Sequence, residues 1–429
     1  MTASITHQAH APLMPLAGPQ RLLRTALFDR LRDLAHGQVV YEDALGRRVF
    51  GRATPGGLSA HVHVHDPRAY LQVALGGDLG VAESYIDGRW SCDDLVSLFR
   101  IFTRNIELSD RLSVLSDRLV KLRYRVDHWM RKNTRAGSRD NIYAHYDLSN
   151  DFFALFLDET MTYSAGIFER EGSSMYEASV AKLDRICRKL ALTPNDHVLE
   201  IGTGWGSLAM HAAERYGCHV TTTTISDQQY ALAARRVRAA GLQGRITLLR
   251  RDYRDLQGQF DKLVSVEMIE AVGHEYFDDF FRVAGERLRP EGMMLLQAIT
   301  VPDQRYDSAR RSVDPIRHLI FPGSVIPSTT ALLTAATRAS DLRLVHLEDI
   351  TPHYARTLAA WRAKFWDNIA QIRAQGRDER FIRLWDYYLA SCQAAFTERY
   401  LGDVQMLLAK PGCRAEPILP RLPAADELD

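Results

Sequence analysis

Residues 197–217, HVLEIGTGWGSLAMHAAERYG, constrain this chain more than any other stretch. An apolar run of strand length ends in a turn holding Gly202, Gly204 and Gly206, and an amphipathic helix follows at once. Such a turn opens a βαβ unit: the glycines let the backbone approach a ligand, and the first N–H groups of the helix point at it. The same alternation continues on both sides. Apolar periodicity predicts strands at 197–201, 219–224, 245–250, 262–266 and 293–298, separated by helices at 207–216, 227–240 and 277–287 and preceded by one at 176–191. Strands joined by helical crossovers predict an α/β fold with a mostly parallel, Rossmann-like sheet covered on both faces. Two later strand candidates, 343–349 and 403–410, flank a helical insertion and bring the expected sheet to seven strands.

Dinucleotides and S-adenosylmethionine both bind turns of this kind. A dinucleotide turn, GxGxxG, needs Gly or Ala where this chain has Ser207, and its ribose-binding acid belongs at the tip of the second strand, where TTTTIS stands with Asp227 beyond it. Glu200, two residues before the first glycine, would repel a pyrophosphate but can hold the cationic amino group of a methionine moiety or order the loop. S-adenosylmethionine is therefore the expected ligand. After the third strand, RDYRDL supplies Asp252 to accept from an adenine amino group and Tyr253 to pack on its ring.

A chain of 429 residues has room for two or three domains. Residues 1–19 read as a disordered start. An α+β domain over 20–125 opens with a helix carrying Leu23, Leu27, Leu31 and Leu34 on one face and continues with strand signals in VVYEDALGRRVFG and LSAHVHVHD. A second helix follows, with Leu112, Leu115, Leu119, Leu122 and Val126 in register. Between Arg118 and Arg139 eight Lys or Arg stand against one acid, Asp127, so 126–140 reads as a basic linker suited to anionic lipid head groups or simply to water. The catalytic domain is placed at 141–413 and a tail at 414–429. His61, His63 and His65 share one strand face, read as a His-rich outer surface, and no metal is expected.

With 54 basic and 53 acidic residues the net charge is only +1, so no nucleic-acid partner is expected. Five scattered cysteines, never in a CxxC pair, fit a reducing cytosol rather than a disulfide framework. The start of the chain lacks the pattern of a secretory signal. The longest uncharged stretch, 321–337, is broken by Pro322, Gly323 and Pro327, so contact with a membrane is expected from its cytoplasmic surface.

With these residues placed, the chain resembles the cyclopropane-fatty-acid synthases, relatives of the mycolic acid cyclopropane synthases. The motifs that carry the resemblance are HYDLSNDFFALFLDETMTYSAGIF, LEIGTGWGSLA, TTTTISDQQ, VSVEMIEAVGHEYFDDFF, HYARTLAAW and YLASCQAAF, in this order. The resemblance implies methylene transfer from S-adenosylmethionine to the cis double bond of an unsaturated phospholipid acyl chain. It implies cofactor contacts at Tyr163, Ser164, the 200–206 turn (Glu200, Gly202, Gly204, Trp205, Gly206), Thr224, Gln229 and Tyr253. It also implies a bicarbonate ion as base, held by Glu270, Tyr354 and the backbone at Ile299, with Cys392 at a position traditionally marked as active-site. Two residues depart from the pattern but stay among the expected bicarbonate contacts: Gln297 replaces a histidine and can still donate to a bicarbonate oxygen, and Ala165 replaces a cysteine, whose backbone contact an alanine would keep. Members of the family often dimerise, which makes a homodimer one assembly to expect.

The chemistry asks for a positioned alkene, exclusion of water, aromatic faces such as Tyr163, Trp205, Tyr354 or Phe365 near the developing carbocation, and a base. Ring closure is the expected outcome. Methyl-branched or methylene chains, or methylation of a small molecule, are the alternatives. For the HYDLSNDFF segment, opening at His145 and Tyr146, the resemblance implies a lid over the cofactor, whereas the residues alone read as an N-cap region with Ser149 or Asn150 starting a helix.

Overall fold

The computed structural model describes residues 14–107, 149–311 and 314–419. The predicted helix and basic cluster after residue 108, together with His145 and Tyr146, lie outside them. The N-terminal part runs α1 (Gly18–Leu31), β1 (Gln38–Asp43), β2 (Gly46–Gly51), β3 (Ser59–Val64), α2 (Arg68–Ile86), β4 (Trp90–Cys92) and α3 (Leu95–Arg104). Its four strands form a sheet in the order β2-β1-β3-β4, with β1 and β3 parallel. Leu31 is buried as the helical pattern predicted and Leu34 is buried just past the end of α1, whereas Leu23 and Leu27 are only half-buried at the cluster's edge.

The second part runs α4 (Asn150–Ala154), α5 (Met175–Lys189), β5 (His197–Ile201), α6 (Ser207–Arg215), β6 (His219–Thr223), α7 (Asp227–Ala239), β7 (Ile246–Leu249) and β8 (Phe260–Val266). It continues with α8 (Phe277–Arg287), β9 (Leu288–Thr300), α9 (Asp303–Ala309), α10 (Pro315–Leu319), α11 (Thr329–Ala339) and β10 (Arg343–Asp349). The insertion is α12 (Thr351–Asp367), α13 (Ile369–Ala374) and α14 (Glu379–Thr397), and β11 (Gly402–Ala409) returns to the sheet. Local signals set several of these starts. Ser149 caps α4 by accepting from the Phe152 N–H at 3.3 Å. Ser174 and Glu177 form a reciprocal capping box on α5.

The seven strands lie in the order β10-β11-β9-β8-β5-β6-β7, parallel from β9 to β7, with β11 antiparallel to both its neighbours. Period-two alternation divides the side chains between two faces. Leu199, Leu263, Leu296 and Met406 meet Phe280, Phe281 and Leu332 on one face, while Val198, Val264, Leu295 and Leu407 meet Leu183, Ile186 and Ala212 on the other. From β5 the chain winds outward through β6 to β7, then returns to place β8 on the other side of β5. The crevice at the carboxyl ends of β5 and β8 is thus a topological switch point, where ligands of doubly wound sheets sit. A third core of aromatic rings, from α4, α12 and α14 with Trp205, packs beyond the strand ends.

The N-terminal part shares its core with the catalytic part, since Tyr387 and Ala390 of α14 belong to it. At that junction Asp386, fully buried, accepts from the Tyr85 hydroxyl (2.9 Å), Arg362 Nε (2.7 Å) and Trp366 Nε1 (2.8 Å). Arg100 and Arg104 of α3 bind Glu398 at 2.6 and 2.8 Å.

Candidate active site

The glycine turn takes the form its sequence predicts. Gly202, Gly204 and Gly206 all have positive φ (104°, 52° and 89°), and the N–H groups of Gly202 and Thr203 donate to the Thr223 carbonyl at 3.1 Å each. Gly206 is the N-cap of α6 and brings no side chain to its first N–H groups. Glu200 is turned beneath the loop, where it accepts from the Thr222 hydroxyl at 2.5 Å, and Thr222 pairs with Thr203 at 2.6 Å. Of the two roles read for Glu200, ordering the loop is the one in place. Burial lifts its carboxyl to about 8, opposed by the Thr222 bond and the Lys182 charge.

Other predicted cofactor residues gather around the same strand ends. Thr224 donates to Gln229 Oε1 at 2.9 Å. Asp252 accepts from the backbone and guanidinium of Arg254 (3.0, 2.8 and 2.7 Å), and the Tyr253 hydroxyl is buried without a hydrogen-bond partner. Trp205 Nε1 donates to Asn150 Oδ1 at 2.7 Å, tying α4 to the turn. Tyr163 stacks on Trp361 (5.2 Å) and shares a hydrogen bond with the Tyr388 hydroxyl (2.9 Å). Ser164 accepts from the buried Lys182 ammonium at 2.8 Å.

Across the crevice, at the end of β8, stands Glu267. Its Oε1 accepts from the Ala165 N–H (2.9 Å) and Gln297 Nε2 (2.7 Å), and its Oε2 from the Tyr354 hydroxyl (2.7 Å). The orientation of Gln297 follows from a lysine, which can only donate. Lys189 Nζ donates to Gln405 Oε1 (2.8 Å), so the Gln405 amide nitrogen faces Gln297 Oε1 (3.0 Å) and the Gln297 nitrogen faces Glu267. Gln297 also donates to Asp403 at 3.1 Å. Glu270, one turn on, accepts from the Ile299 N–H at 2.6 Å and leaves Oε2 without a partner. Burial, then the nearby Glu267 charge, lifts Glu270 to about 8. Burial raises Glu267 and Asp403 as well, Asp403 further by the neighbouring Glu267 and Glu270 charges; the same burial lowers Lys182, against the pull of these acids. The backbone of Glu267 is left-handed (φ 46°), a conformation that costs a non-glycine residue about 1–3 kcal/mol and persists where its surroundings impose it.

Residues 133–406 match the family model described as mycolic acid cyclopropane synthetase. The chain belongs to this family. It is 36% identical over 422 residues to the tuberculostearic acid methyltransferase UfaA1 of Mycobacterium tuberculosis, covering 94% of this chain and 95% of the relative. It is 35% identical over 367 residues to the cyclopropane-fatty-acyl-phospholipid synthase of Escherichia coli K12, covering 83% and 88%. Among solved structures, the cyclopropane synthase MmaA2 of M. tuberculosis superposes with a TM-score of 0.59 at 32% identity, over 63% of this chain and 98% of that one. The mycolic acid cyclopropane synthase CmaA1, complexed with S-adenosylhomocysteine and CTAB, gives the same values. Coclaurine N-methyltransferase, 18% identical with a TM-score of 0.58, shares the fold. The chain is thus an S-adenosylmethionine-dependent methyltransferase of the cyclopropane synthase family.

Against that background one expectation needs correction. The groups read as a bicarbonate cradle do converge, but they hold the protein's own carboxylates: Ala165, Gln297 and Tyr354 hold Glu267, and Ile299 holds Glu270. A further anion would meet Glu267, Glu270 and Asp403 with Lys182 as the facing cation, so bicarbonate does not fit this arrangement. Cys392 lies half-buried against the aromatic core on α14, where burial, followed by the Asp314 charge, raises its thiol. Glu267 and Asp403 were missed. The available signal for Glu267 was its place in VSVEMIE, two acids three residues apart after a parallel strand. His61 and His63 face Glu42 at 3.0 and 3.6 Å on the open face of the N-terminal sheet.

Proposed function

We propose that the chain transfers a methylene group from S-adenosylmethionine to the cis double bond of an unsaturated phospholipid acyl chain and closes a cyclopropane ring. The observation that carries this reading is the juxtaposition of the glycine turn with a buried carboxylate cluster at one switch-point crevice, walled by Tyr163, Trp361, Tyr354 and Phe396. The uncapped N-terminus of α6 and the unpaired Tyr253 hydroxyl suit a nucleoside sulfonium, the turn taking the methionine part and Asp252 with Tyr253 the adenine. When bound, that cofactor supplies an electrophilic methyl group.

The residues of the chain do the rest. The rings exclude water and offer faces to the carbocation left on the acyl chain, each contributing up to about 2 kcal/mol when desolvated. Tyr354, stacked on Phe396 at 4.4 Å, is fixed for this. No helix among the described residues is long and apolar enough to cross a membrane, and in this reading the phospholipid is met peripherally. The likeness to the E. coli phospholipid synthase supports phospholipid as substrate.

A second reading, methylation that leaves a methylene or methyl branch, draws on the likeness to UfaA1 along nearly the whole chain. Lipids from cells expressing the protein separate the two. Cyclopropane proton signals in the NMR spectrum support the first, and added carbon with vinylidene or branch-methyl signals alone supports the second. Sedimentation with unsaturated phospholipid vesicles tests the membrane contact.

A further inference from the structure

We propose that the carboxylate of Glu267 is the base for this reaction, a resident side chain standing where the family resemblance calls for a captured bicarbonate ion. The proposal rests on the methyl-transfer reading. Three donors from three separate segments converge on Glu267: the Ala165 N–H, the Gln297 amide and the Tyr354 hydroxyl. These are three of the groups expected to hold bicarbonate, and a side-chain carboxylate offers them the same pair of oxygens. The Lys189–Gln405–Gln297 chain fixes the amide so that it can only donate to Glu267. The left-handed backbone at Glu267 aims the side chain back across the end of β8 into this cluster.

Asp403 stands beside Glu267, one oxygen accepting from Gln297, and its carboxyl is in side-chain hydrogen-bond contact with Glu267. Among the charges that face Glu267, which are Asp403, Glu270 and Lys182, the acids outnumber the cation. Three donors favour the charged form of Glu267 over that of Asp403, so in this pair Glu267 is the better-stabilised carboxylate. In the reaction the alkene π pair forms the bond to the sulfonium methyl as the S–CH3 bond breaks, its electron pair staying on sulfur, which leaves a carbocation on the adjacent chain carbon. One C–H pair of the transferred methyl then closes the ring while its proton passes to Glu267, which returns it to solvent after product leaves.

The test uses the full-length protein with vesicles of dioleoyl phosphatidylglycerol, in buffer freed of carbon dioxide or supplemented with bicarbonate. Wild type should release S-adenosylhomocysteine at the same rate in both. Glu267→Gly suits the backbone and vacates a carboxylate-sized space, so it should lose about 100-fold or more without bicarbonate and recover at least about tenfold with it. Glu267→Gln fills the space and should stay slow in both. A wild type that loses turnover without bicarbonate, or a Glu267→Gly variant as fast as wild type without it, overturns the proposal. Carbon-13 NMR with labelled bicarbonate decides independently of turnover: saturable binding to the glycine variant and none to wild type supports Glu267, and binding to wild type refutes it. Absence of turnover on any lipid would count against the functional reading alone.

Discussion

Replacing Glu200 by Gln should make the protein more stable at alkaline pH while changing little in acid. The carboxyl is buried under the glycine turn, accepts one hydrogen bond from Thr222, and is lifted from 4.5 to about 8 chiefly by burial. Between these values the folded chain keeps a proton that the unfolded chain has released. Wild-type stability therefore falls as pH rises through this window, and the loss is complete above about 8. At about 1.4 kcal/mol per pH unit the full effect is ~5 kcal/mol. Glutamine is nearly isosteric and can still accept from Thr222, yet never ionises, so it escapes this loss. The stability difference, variant minus wild type, should grow from under ~1 kcal/mol at pH 5 to several kcal/mol at pH 9. Glu267, Glu270 and Asp403 are present in both proteins, so their own titrations largely cancel in the comparison. Urea unfolding of both at each pH measures it. A difference that stays constant to within ~0.5 kcal/mol from pH 5 to pH 9 would show that Glu200 is ionised in the fold and would refute the reasoning.

Asp386→Ala strips Tyr85, Arg362 and Trp366 of their shared acceptor and leaves the largely buried Arg362 guanidinium uncompensated, so it should cost about 3–5 kcal/mol in chemical unfolding and expose the junction to protease. Gly206→Ala adds a Cβ at 3.4 Å from Ala233 to a backbone with φ 89°, whereas Gly204→Ala, at φ 52°, also strains the backbone but meets no atom within 4 Å. Calorimetry should accordingly find S-adenosylmethionine binding weakened more in the first variant, the conformational cost alone being about 1–2 kcal/mol. Gln405→Leu removes the partner that orients Gln297, and steady-state assays should find kcat reduced with KM for S-adenosylmethionine little changed. Cys392→Ala should keep turnover and lose about 1–2 kcal/mol of stability from the vacated packing volume.

What could be read from the sequence was whatever local physics determines. Strand β5, the turn and α6 lie within twenty residues, and three glycines in sequence declare a backbone that must bend in a way other residues resist. Of the two late strands, β11 was legible as an apolar run, MLLA, while β10, RLVHLED, is a largely exposed edge strand with only Leu344, Val345 and Leu347 to mark it. Glu267 belongs to another class. Its neighbours in the chain mark it as one acid at a strand end, and its meaning comes from Ala165, Gln297 and Tyr354, which lie 102, 30 and 87 positions away. Reading Glu270 alone as the acid of VSVEMIE followed from the family pattern, which assigns no role three residues earlier. The departure at Gln297, an amide where the family pattern has a histidine, is visible in the sequence. With Glu267 in place, a neutral amide oriented by Lys189 through Gln405 donates steadily to a resident carboxylate, without the titration that a histidine would bring to the same position.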